Sequence, residues 1–202
     1  TLLSNTLIKK IMATENTILT RRYPGIESFK EEQEPIFFGR KTDTEKLYDK
    51  IRYSDLVVLF SETGLGKTSL LQAGLLPTLK KVKIKKQEEE KERYYPIIVK
   101  FSDHSLTPQQ IIYKAIFEKV EKSSETEETQ KKVLDTAFKY TLWEFFQQEY
   151  AKAAESIFEG KQVLLIFDQF EELFYQHTSL HRRQVFAYEL ADLVLQLSLI
   201  HI

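Results

Sequence analysis

Three short stretches of the chain are almost continuously apolar, and the segments between them place apolar residues with a helical period. The apolar stretches cover residues 56–60, 96–101 and 163–167, and each has the length of a strand. Continuous apolar runs of this length are typical of parallel strands that are buried on both faces. We therefore predict a strand at each of the three positions.

The segments between these runs predict helices, because their apolar residues recur three and four positions apart. In the first of them Leu47 and Ile51 are four apart, and Thr42 or Asp43 is the expected N-cap. Strands that alternate with helices indicate an α/β fold with a parallel sheet flanked by helices. The predicted helices cover residues 42–53, 67–79, a segment beginning at Thr107, 133–158 in two pieces, and 182–199.

Local signals mark several boundaries of these elements. Thr107 and Gln110 have the spacing of a capping box, with a proline between them at the first helical position. Gly160 has the place of a helix C-terminal glycine. Residues 80–93 are basic first and acidic afterwards, and we expect a solvated helix extension and loop there. Residues 123–132 are expected to be a polar break.

Composition and charge narrow the class of protein. Twenty-nine Lys and Arg residues against thirty Asp and Glu residues leave a net charge of −1, which argues against a domain built to coat nucleic acid. The chain has no cysteine, which excludes disulfides and thiolate metal sites and fits a reducing cytoplasm. No apolar run approaches the roughly 20 residues needed to cross a bilayer, so we expect no membrane partner.

The two ends of the sequence suggest an excerpt from a longer chain. The first residue is Thr1 and the only methionine is Met12, so residues 1–11 are either extraneous or part of that excerpt. The last residues stop within an apolar stretch. We expect residues 1–21 to be a poorly ordered N-terminal extension and residues 22–202 to be one partial domain.

Residues 61–68, Ser-Glu-Thr-Gly-Leu-Gly-Lys-Thr, match the Walker A pattern at every fixed position but the first, where Ser61 replaces glycine. Phosphate oxygens are bound by consecutive backbone N–H groups at a helix N-terminus. The backbone can approach a phosphate closely only where side chains are absent, which explains Gly64 and Gly66. We expect Ser61 to adopt a backbone conformation that is usually left to glycine.

The residues after these glycines supply the charge and the metal ligand. Lys67 can reach the β- and γ-phosphates, and the Thr68 hydroxyl can coordinate Mg²⁺. Lys67 therefore counts among the catalytic residues as well as the binding ones. A predicted strand before the loop and a predicted helix after it meet the context that the motif requires. The predicted phosphate-binding set is Gly64, Leu65, Gly66, Lys67, Thr68 and Ser69.

A P-loop needs a second carboxylate at the end of a neighbouring strand to hold Mg²⁺. The apolar run 163–167 ends directly before Asp168, so Asp168 is predicted to share the metal with Thr68. Glu171 and Glu172 follow within one turn, and either can act as the general base that polarises an attacking water. We prefer Glu171, with Glu172 as the alternative.

With these motifs placed, the chain resembles the STAND ATPases (signal-transduction ATPases with numerous domains), specifically the class called novel STAND, type 1. The likeness spans about residues 22–200. The P-loop followed by Gly-Leu-Leu-Pro and the later Asp-Gln-Phe-Glu-Glu-Leu motif are specific in combination. The segments that carry the likeness are Tyr23-Pro24-Gly25 with Phe29, Phe37-Phe38-Gly39-Arg40, the P-loop through Ala73-Gly74-Leu75-Leu76-Pro77, and Leu164 to Leu173.

This resemblance implies an AAA+-like P-loop domain that binds ATP and Mg²⁺ and acts as a signalling or defence switch. Phe38, Gly39 and Arg40 would help seat the adenine, and for Phe37 and Phe38 core packing is an equal alternative. Members of the family join the switch to effector and repeat sensor domains, and nucleotide binding drives self-assembly. A sensor strand and a lid would follow the present chain, so we expect hydrolysis to be slow or lid-dependent.

Other classes of protein match the sequence less well. A GTPase would need an Asn-Lys-x-Asp motif, but the only asparagines, Asn5 and Asn16, precede the P-loop. A DNA-associated AAA+ ATPase stays open as the enzymatic alternative, although no net basic channel supports it. A non-catalytic interaction module with a degenerate P-loop also stays open. The joint presence of Lys67, Thr68 and Asp168 argues against that module.

Overall fold

The architecture comes from a computed structural model of the chain. Contacts within the chain form two compact units, one ending at Lys81 and the other beginning at Val82. The predicted N-terminal extension, residues 1–21, lies outside the described residues. The structure describes residues 25, 27–62, 64–86, 89–103, 105–121, 127–152, 155–176 and 179–197.

The first unit is helical, and both helices predicted there are present. The first begins slightly earlier than predicted, with Arg40 as its N-cap in place of Thr42 or Asp43. The second is a continuous helical run over residues 67–81 with a π-helical segment at its centre. The elements are a 3-10 helix (Glu31–Ile36), α1 (Lys41–Tyr53), α2 (Lys67–Ser69), the π-helix (Leu70–Leu75) and α3 (Leu76–Lys81).

Apolar side chains from α1 and from the helical run form the core of this unit. Leu47, Leu70 and Leu79 are all buried, and burying a side chain of this size contributes roughly 1.5–3 kcal/mol. An ion pair of 2.5 Å between Lys80 and Glu31 joins the end of α3 to the 3-10 helix. The polar lead-in segment therefore packs as part of the first unit.

The strand predicted at residues 56–60 is not observed. These residues have no regular secondary structure, and no ladder in the described part of the chain includes them. Their side chains are largely in solvent, with Val58 79% and Phe60 92% exposed. An apolar run indicates a preference for burial, but a strand also needs a neighbour for its backbone N–H and C=O groups.

The charged block 80–93 begins with the predicted helix extension at Lys80 and Lys81, but its later residues form an antiparallel strand pair instead of the predicted loop. Strand β1 (Lys83–Lys86) pairs antiparallel with β2 (Glu89–Glu92). The basic run thus faces the acidic run, and the pair Lys83 and Glu92 has an N–O distance of 3.6 Å. Opposite charges directly across two strands favour this pairing, which explains why the solvated block is folded.

A small parallel sheet confirms two of the three predicted strands. Strand β3 (Tyr94–Lys100) pairs with β4 (Gln162–Asp168), in a register that sets Lys100 opposite Asp168. The described part of the protein is therefore a mixed α/β structure with a parallel sheet and helices, as the sequence predicts. Both strands end at the same edge, which is where ligands usually bind in parallel sheets.

The helix between these strands begins with the predicted capping box. The Thr107 Oγ1 atom accepts a hydrogen bond from the Gln110 N–H at 3.3 Å, and the Gln110 Oε1 atom accepts one from the Thr107 N–H at 2.8 Å. This start satisfies two backbone donors that would otherwise lack partners. Helix α4 (Pro108–Glu121) follows it directly.

The predicted helical region 133–158 is two helices, as expected, but with other bounds. The first starts at Glu127, inside the predicted polar break, because Glu, Gln and Lys are good helix formers. Gly160, at φ +67°, closes a turn and not a helix. No described helix has the length and apolarity that crossing a membrane requires. The remaining helices are α5 (Glu127–Lys139), α6 (Leu142–Ala151), α7 (Glu172–Gln176) and α8 (Leu180–Leu197).

The core of the second unit combines aliphatic residues with several aromatic ones. Phe101, Phe146 and Phe158 are fully buried there. Tyr113 is also fully buried, and its hydroxyl donates to the Tyr140 carbonyl at 3.1 Å. Burial raises the pKa of Tyr113, so its hydroxyl stays a donor. Side chains from β3 belong to this core, and side chains from β4 pack against it.

Candidate functional site

The predicted Walker A loop lies directly before the helical run 67–81. Gly64 and Gly66 have φ angles of +86° and +74°, in the left-handed region that residues with side chains rarely adopt. Gly66 is also the N-cap of α2, so the loop leads straight into a helix N-terminus. Ser61 is not in the left-handed region. Our expectation of a glycine-like backbone there is wrong, because this loop turns at its glycines.

The ammonium group of Lys67 folds back over the loop. Its Nζ atom donates to the Ser61 carbonyl at 2.8 Å and to the Glu62 carbonyl at 3.2 Å. An ammonium group offers three donors, and two of them are held here by loop carbonyls. Lys67 therefore closes the loop on itself, and any phosphate that enters would compete with these two carbonyls.

The segment Phe38-Gly39-Arg40, which the family resemblance places beside the adenine, is joined to this loop through Arg40. Its Nη1 atom donates to the Leu65 carbonyl at 3.3 Å. Its Nε atom lies 2.7 Å from Asp43 Oδ2, an ion pair at the first turn of α1. The structure thus brings the Phe38-Gly39-Arg40 segment into contact with the P-loop.

The two phenylalanines of this segment have different surroundings. Phe37 packs against Phe29, with ring centroids 5.3 Å apart. Phe38 is 81% exposed, and Gly39 follows it with a φ of +82°. Core packing therefore explains Phe37 but not Phe38, whose ring lies in solvent beside the segment's glycine.

Thr68 and Ser69 lie in the first turn of the helical run. Thr68 is half-buried. Ser69 is buried, and its Oγ atom accepts a hydrogen bond from the Phe29 backbone N–H at 3.0 Å. The Ser69 hydroxyl is therefore engaged with the lead-in segment.

Gly74 allows the close approach of α1 to the helical run. A Cβ atom at this position would lie 2.6 Å from the Thr44 Oγ1 atom, well inside van der Waals contact. In the sequence Gly74 is marked only as part of a family motif, and the Thr44 side chain that it approaches is visible only in the fold.

Asp168 lies in the second unit, at the end of β4. It is only 4% exposed, and its Oδ2 atom is 3.7 Å from the Lys100 Nζ atom at the end of β3. Sequence reasoning predicted Asp168 and missed Lys100. The available signal was that Lys100 falls within the predicted strand 96–101, whose end must share an edge with the end of 163–167 in a parallel sheet.

A tight turn follows Asp168 and sets the positions of the two candidate bases. Gln169 has a φ of +58°, an uncommon conformation for a residue with a side chain. The turn lets Phe170 pack into the aromatic core. Glu171 is then exposed, and Glu172 is half-buried as the first residue of α7. The two glutamates therefore differ in solvent exposure, a difference that their spacing in the sequence does not predict.

The described carboxylates do not form a closed metal site. Among those residues, no three His, Asp or Glu side chains are grouped closely enough to hold a metal ion. Mg²⁺ in phosphate-binding proteins is usually held by one or two carboxylates and by the substrate's own phosphates. The buried carboxylate of Asp168 fits that open type of site and not an all-protein cage.

A cleft of about 360 Å³ lies beside the strand ends of the second unit. The Ser105 hydroxyl and the Lys114 ammonium group lower the pKa of Asp103 in this cleft, so its carboxylate stays ionised. Lys114 is 3.2 Å from Asp103 Oδ2. The cleft is lined by Ile98, Lys100, Ser102, Asp103, Ile111, Lys114, Ala115 and Glu118.

Comparison with known proteins gives one result. The family model of the novel STAND NTPase 1 domain matches residues 23–201, which include both the P-loop and the turn after Asp168. No curated protein and no solved structure matches the chain. The match spans most of the chain.

Proposed function

Since the chain belongs to the novel STAND NTPase 1 family, we propose that it is the ATP-binding switch domain of a STAND-type signalling protein, with a P-loop fold. Residues 22–202 form this domain in our proposal. Nucleotide binding requires Mg²⁺, and hydrolysis is slow or depends on a lid. Exchange of nucleotide then drives self-assembly of a parent chain that carries effector and repeat sensor domains.

The observation that carries the proposal is the loop before the helical run 67–81. Gly64 and Gly66 have left-handed backbone angles and carry no side chains, so a phosphate could approach the backbone N–H groups at this helix N-terminus. The dipole of that helix favours negative charge at its start. Lys67 already lies across the loop. Bound phosphates would replace the loop carbonyls as acceptors of its ammonium protons.

The metal site in this proposal uses Thr68 and Asp168. A bound Mg²⁺ would neutralise part of the charge of the phosphates. Thr68 would hold it through a hydroxyl in the first turn of the helical run, and Asp168 through a carboxylate at a strand end. The near-complete burial of Asp168 supports this role, because a buried carboxylate favours a cation close by.

The general base in the proposal is Glu171, with Glu172 as the alternative. A base must reach the attacking water, and the exposed carboxylate of Glu171 has that access. Glu172 begins α7, where a carboxylate is also stabilised by the helix dipole. In this assignment Glu171 has the catalytic role and Glu172 a structural role at the start of α7. We therefore expect substitutions of the two glutamates to affect turnover differently.

On the adenine side, Phe38, Gly39 and Arg40 form the proposed contact. The exposed ring of Phe38 is suited to stacking on a base. Arg40 couples that segment to the loop by its hydrogen bond to Leu65. Adenine recognition and phosphate binding would then stabilise the same local structure.

Calorimetric titration of the chain with ATP, ADP and GTP in the presence of Mg²⁺ tests the proposal. We expect adenine nucleotides to bind selectively and Lys67→Ala to weaken binding at least tenfold, because a charge-assisted hydrogen bond contributes about 1.5–3 kcal/mol. Lys46→Ala, which removes a lysine from an exposed helix position, is the charge-matched control. Absence of binding at millimolar nucleotide, or equal binding by both variants, would refute the nucleotide site.

Two further variants test the choice of base. Glu171→Gln should keep nucleotide binding and lower any turnover measured in single-turnover assays, whereas Glu172→Gln should change turnover little. The opposite pattern would assign the base to Glu172. Loss of binding in Glu171→Gln would show that this residue holds the nucleotide and does not act as a base.

A further inference from the structure

The carboxylate of Asp168 already has a cationic partner within its own unit. Lys100 and Asp168 are register partners at the ends of the two parallel strands, with 3.7 Å between Nζ and Oδ2. The Asp168 side chain is 5% exposed, whereas that of Lys100 is 48% exposed. One member of the pair is therefore fixed inside the protein, and the other can move.

This asymmetry gives the two residues different parts in the pair. A nearly buried carboxylate is costly unless a cation or hydrogen-bond donors compensate its charge. Lysine compensates as a point charge at the end of a flexible four-carbon stem. At 3.7 Å the ammonium group neutralises the charge without the short contact that would fix it in place.

The cleft beside the strand ends offers the lysine a second position. Lys100 lines it together with two acidic residues, Asp103 and Glu118, and with a second lysine, Lys114. Lys114 lies 3.2 Å from Asp103 Oδ2, so Asp103 already has a cationic partner there. A rotation of the Lys100 side chain away from Asp168 would bring its ammonium group into a cleft that holds two carboxylates and one other ammonium group.

We propose that Lys100 is the resident counter-cation of Asp168 and competes with a divalent cation for that carboxylate. Loading of the metal then requires the ammonium group to turn from Asp168 into the cleft. The inference rests on the proposed function, because it takes Asp168 as a metal ligand. Lys100 acts through Asp168 and is therefore a positioning residue, which sets the metal concentration at which the site becomes occupied.

The first experiment measures metal binding directly. Mn²⁺ binding in the presence of ADP is followed by electron paramagnetic resonance for the wild type, Lys100→Met and Lys100→Arg. We expect Lys100→Met to bind Mn²⁺ at least threefold more tightly, and Lys100→Arg to remain near wild type because it keeps the charge. Lys131→Met, the same change at an exposed position of α5 outside the cleft, is the matched control and should have no effect.

The second experiment needs neither metal nor nucleotide. Urea unfolding in EDTA is followed by the fluorescence of Trp143, the only tryptophan, which lies in the second unit. Lys100→Met should lower the unfolding midpoint, because it leaves the Asp168 carboxylate without this cation. In an Asp168→Asn background the same change should have little effect.

The outcomes separate this inference from the proposed function. Equal or weaker Mn²⁺ binding by Lys100→Met, while the wild type binds both ADP and Mn²⁺, overturns the inference alone. Weaker ADP binding by Lys100→Met in EDTA also overturns it, since Lys100 would then be a phosphate ligand. If the wild type binds neither Mn²⁺ nor ADP, the proposed function fails, and the inference fails with it.

Discussion

Replacing Gly74 by alanine probes the contact on which the first unit's geometry depends. An added Cβ atom would lie 2.6 Å from Thr44 Oγ1, 3.4 Å from Leu70 Cδ1 and 3.5 Å from Phe37 Cε1. Only the first distance is shorter than an ordinary contact. Thr44 is buried and donates to the Arg40 carbonyl at 3.0 Å, so it cannot move away without losing that hydrogen bond.

Opposing effects set the magnitude of the change. In an exposed helix, Gly→Ala stabilises by about 0.8–1.0 kcal/mol. Overpacking a filled site costs about 1–3 kcal/mol, and the Thr44 hydroxyl would give up a hydrogen bond of about 1 kcal/mol. We therefore expect Gly74→Ala to lower the free energy of unfolding by about 1–3 kcal/mol.

Urea unfolding followed by far-UV circular dichroism measures this loss as a lower midpoint at an unchanged slope. Thr44→Ala removes the clashing oxygen, so the double variant should recover at least about 1 kcal/mol relative to additivity. Thr44→Val keeps the bulk and should give no recovery. A Gly74→Ala protein that is more stable than wild type, or a double variant with purely additive losses, would refute the close-contact reasoning.

Two further predictions concern the second unit, and Trp143 fluorescence reports both. Gln169→Gly should raise its free energy of unfolding by roughly 0.5–1 kcal/mol, because a left-handed backbone strains a residue with a side chain; Gln169→Ala keeps the strain, and an equal gain there would contradict this. Burial, and secondarily Asp192, raises the pKa of Glu189. The folded state thus holds that proton more tightly than the unfolded state, and stability should fall as pH rises from the ordinary carboxyl pKa through the raised one. Glu189→Gln should flatten this part of the pH–stability curve, and a slope that persists in the variant would assign it to another group.

The helices and the two paired strands follow from local sequence. The capping box at Thr107 and Gln110 is local chemistry, since both partners lie within one turn. The apolar runs of β3 and β4 predict strands because continuous apolar residues over this length are typical of parallel strands with both faces buried. Gly64 and Gly66 are predictable for a similar reason, because only glycine takes their backbone angles without strain.

Features that depend on pairing between two segments could not be derived in this way. The run 56–60 has the composition of a buried strand, yet it is exposed and unpaired in the described structure. Strands β1 and β2 of the charged block pair because their opposite charges meet across the two strands. Periodicity describes what one segment prefers, whereas pairing depends on which segments the chain brings together.

The candidate site divides along the same line. Residue types that suit phosphate and metal, including Lys67 and Asp168, can be predicted from the sequence because that chemistry limits the choice of side chain. That Lys100 faces Asp168 and that Gly74 makes room for Thr44 is known only from the fold. These contacts join positions far apart in the chain, and their distances depend on how strands and helices pack, which no local pattern records.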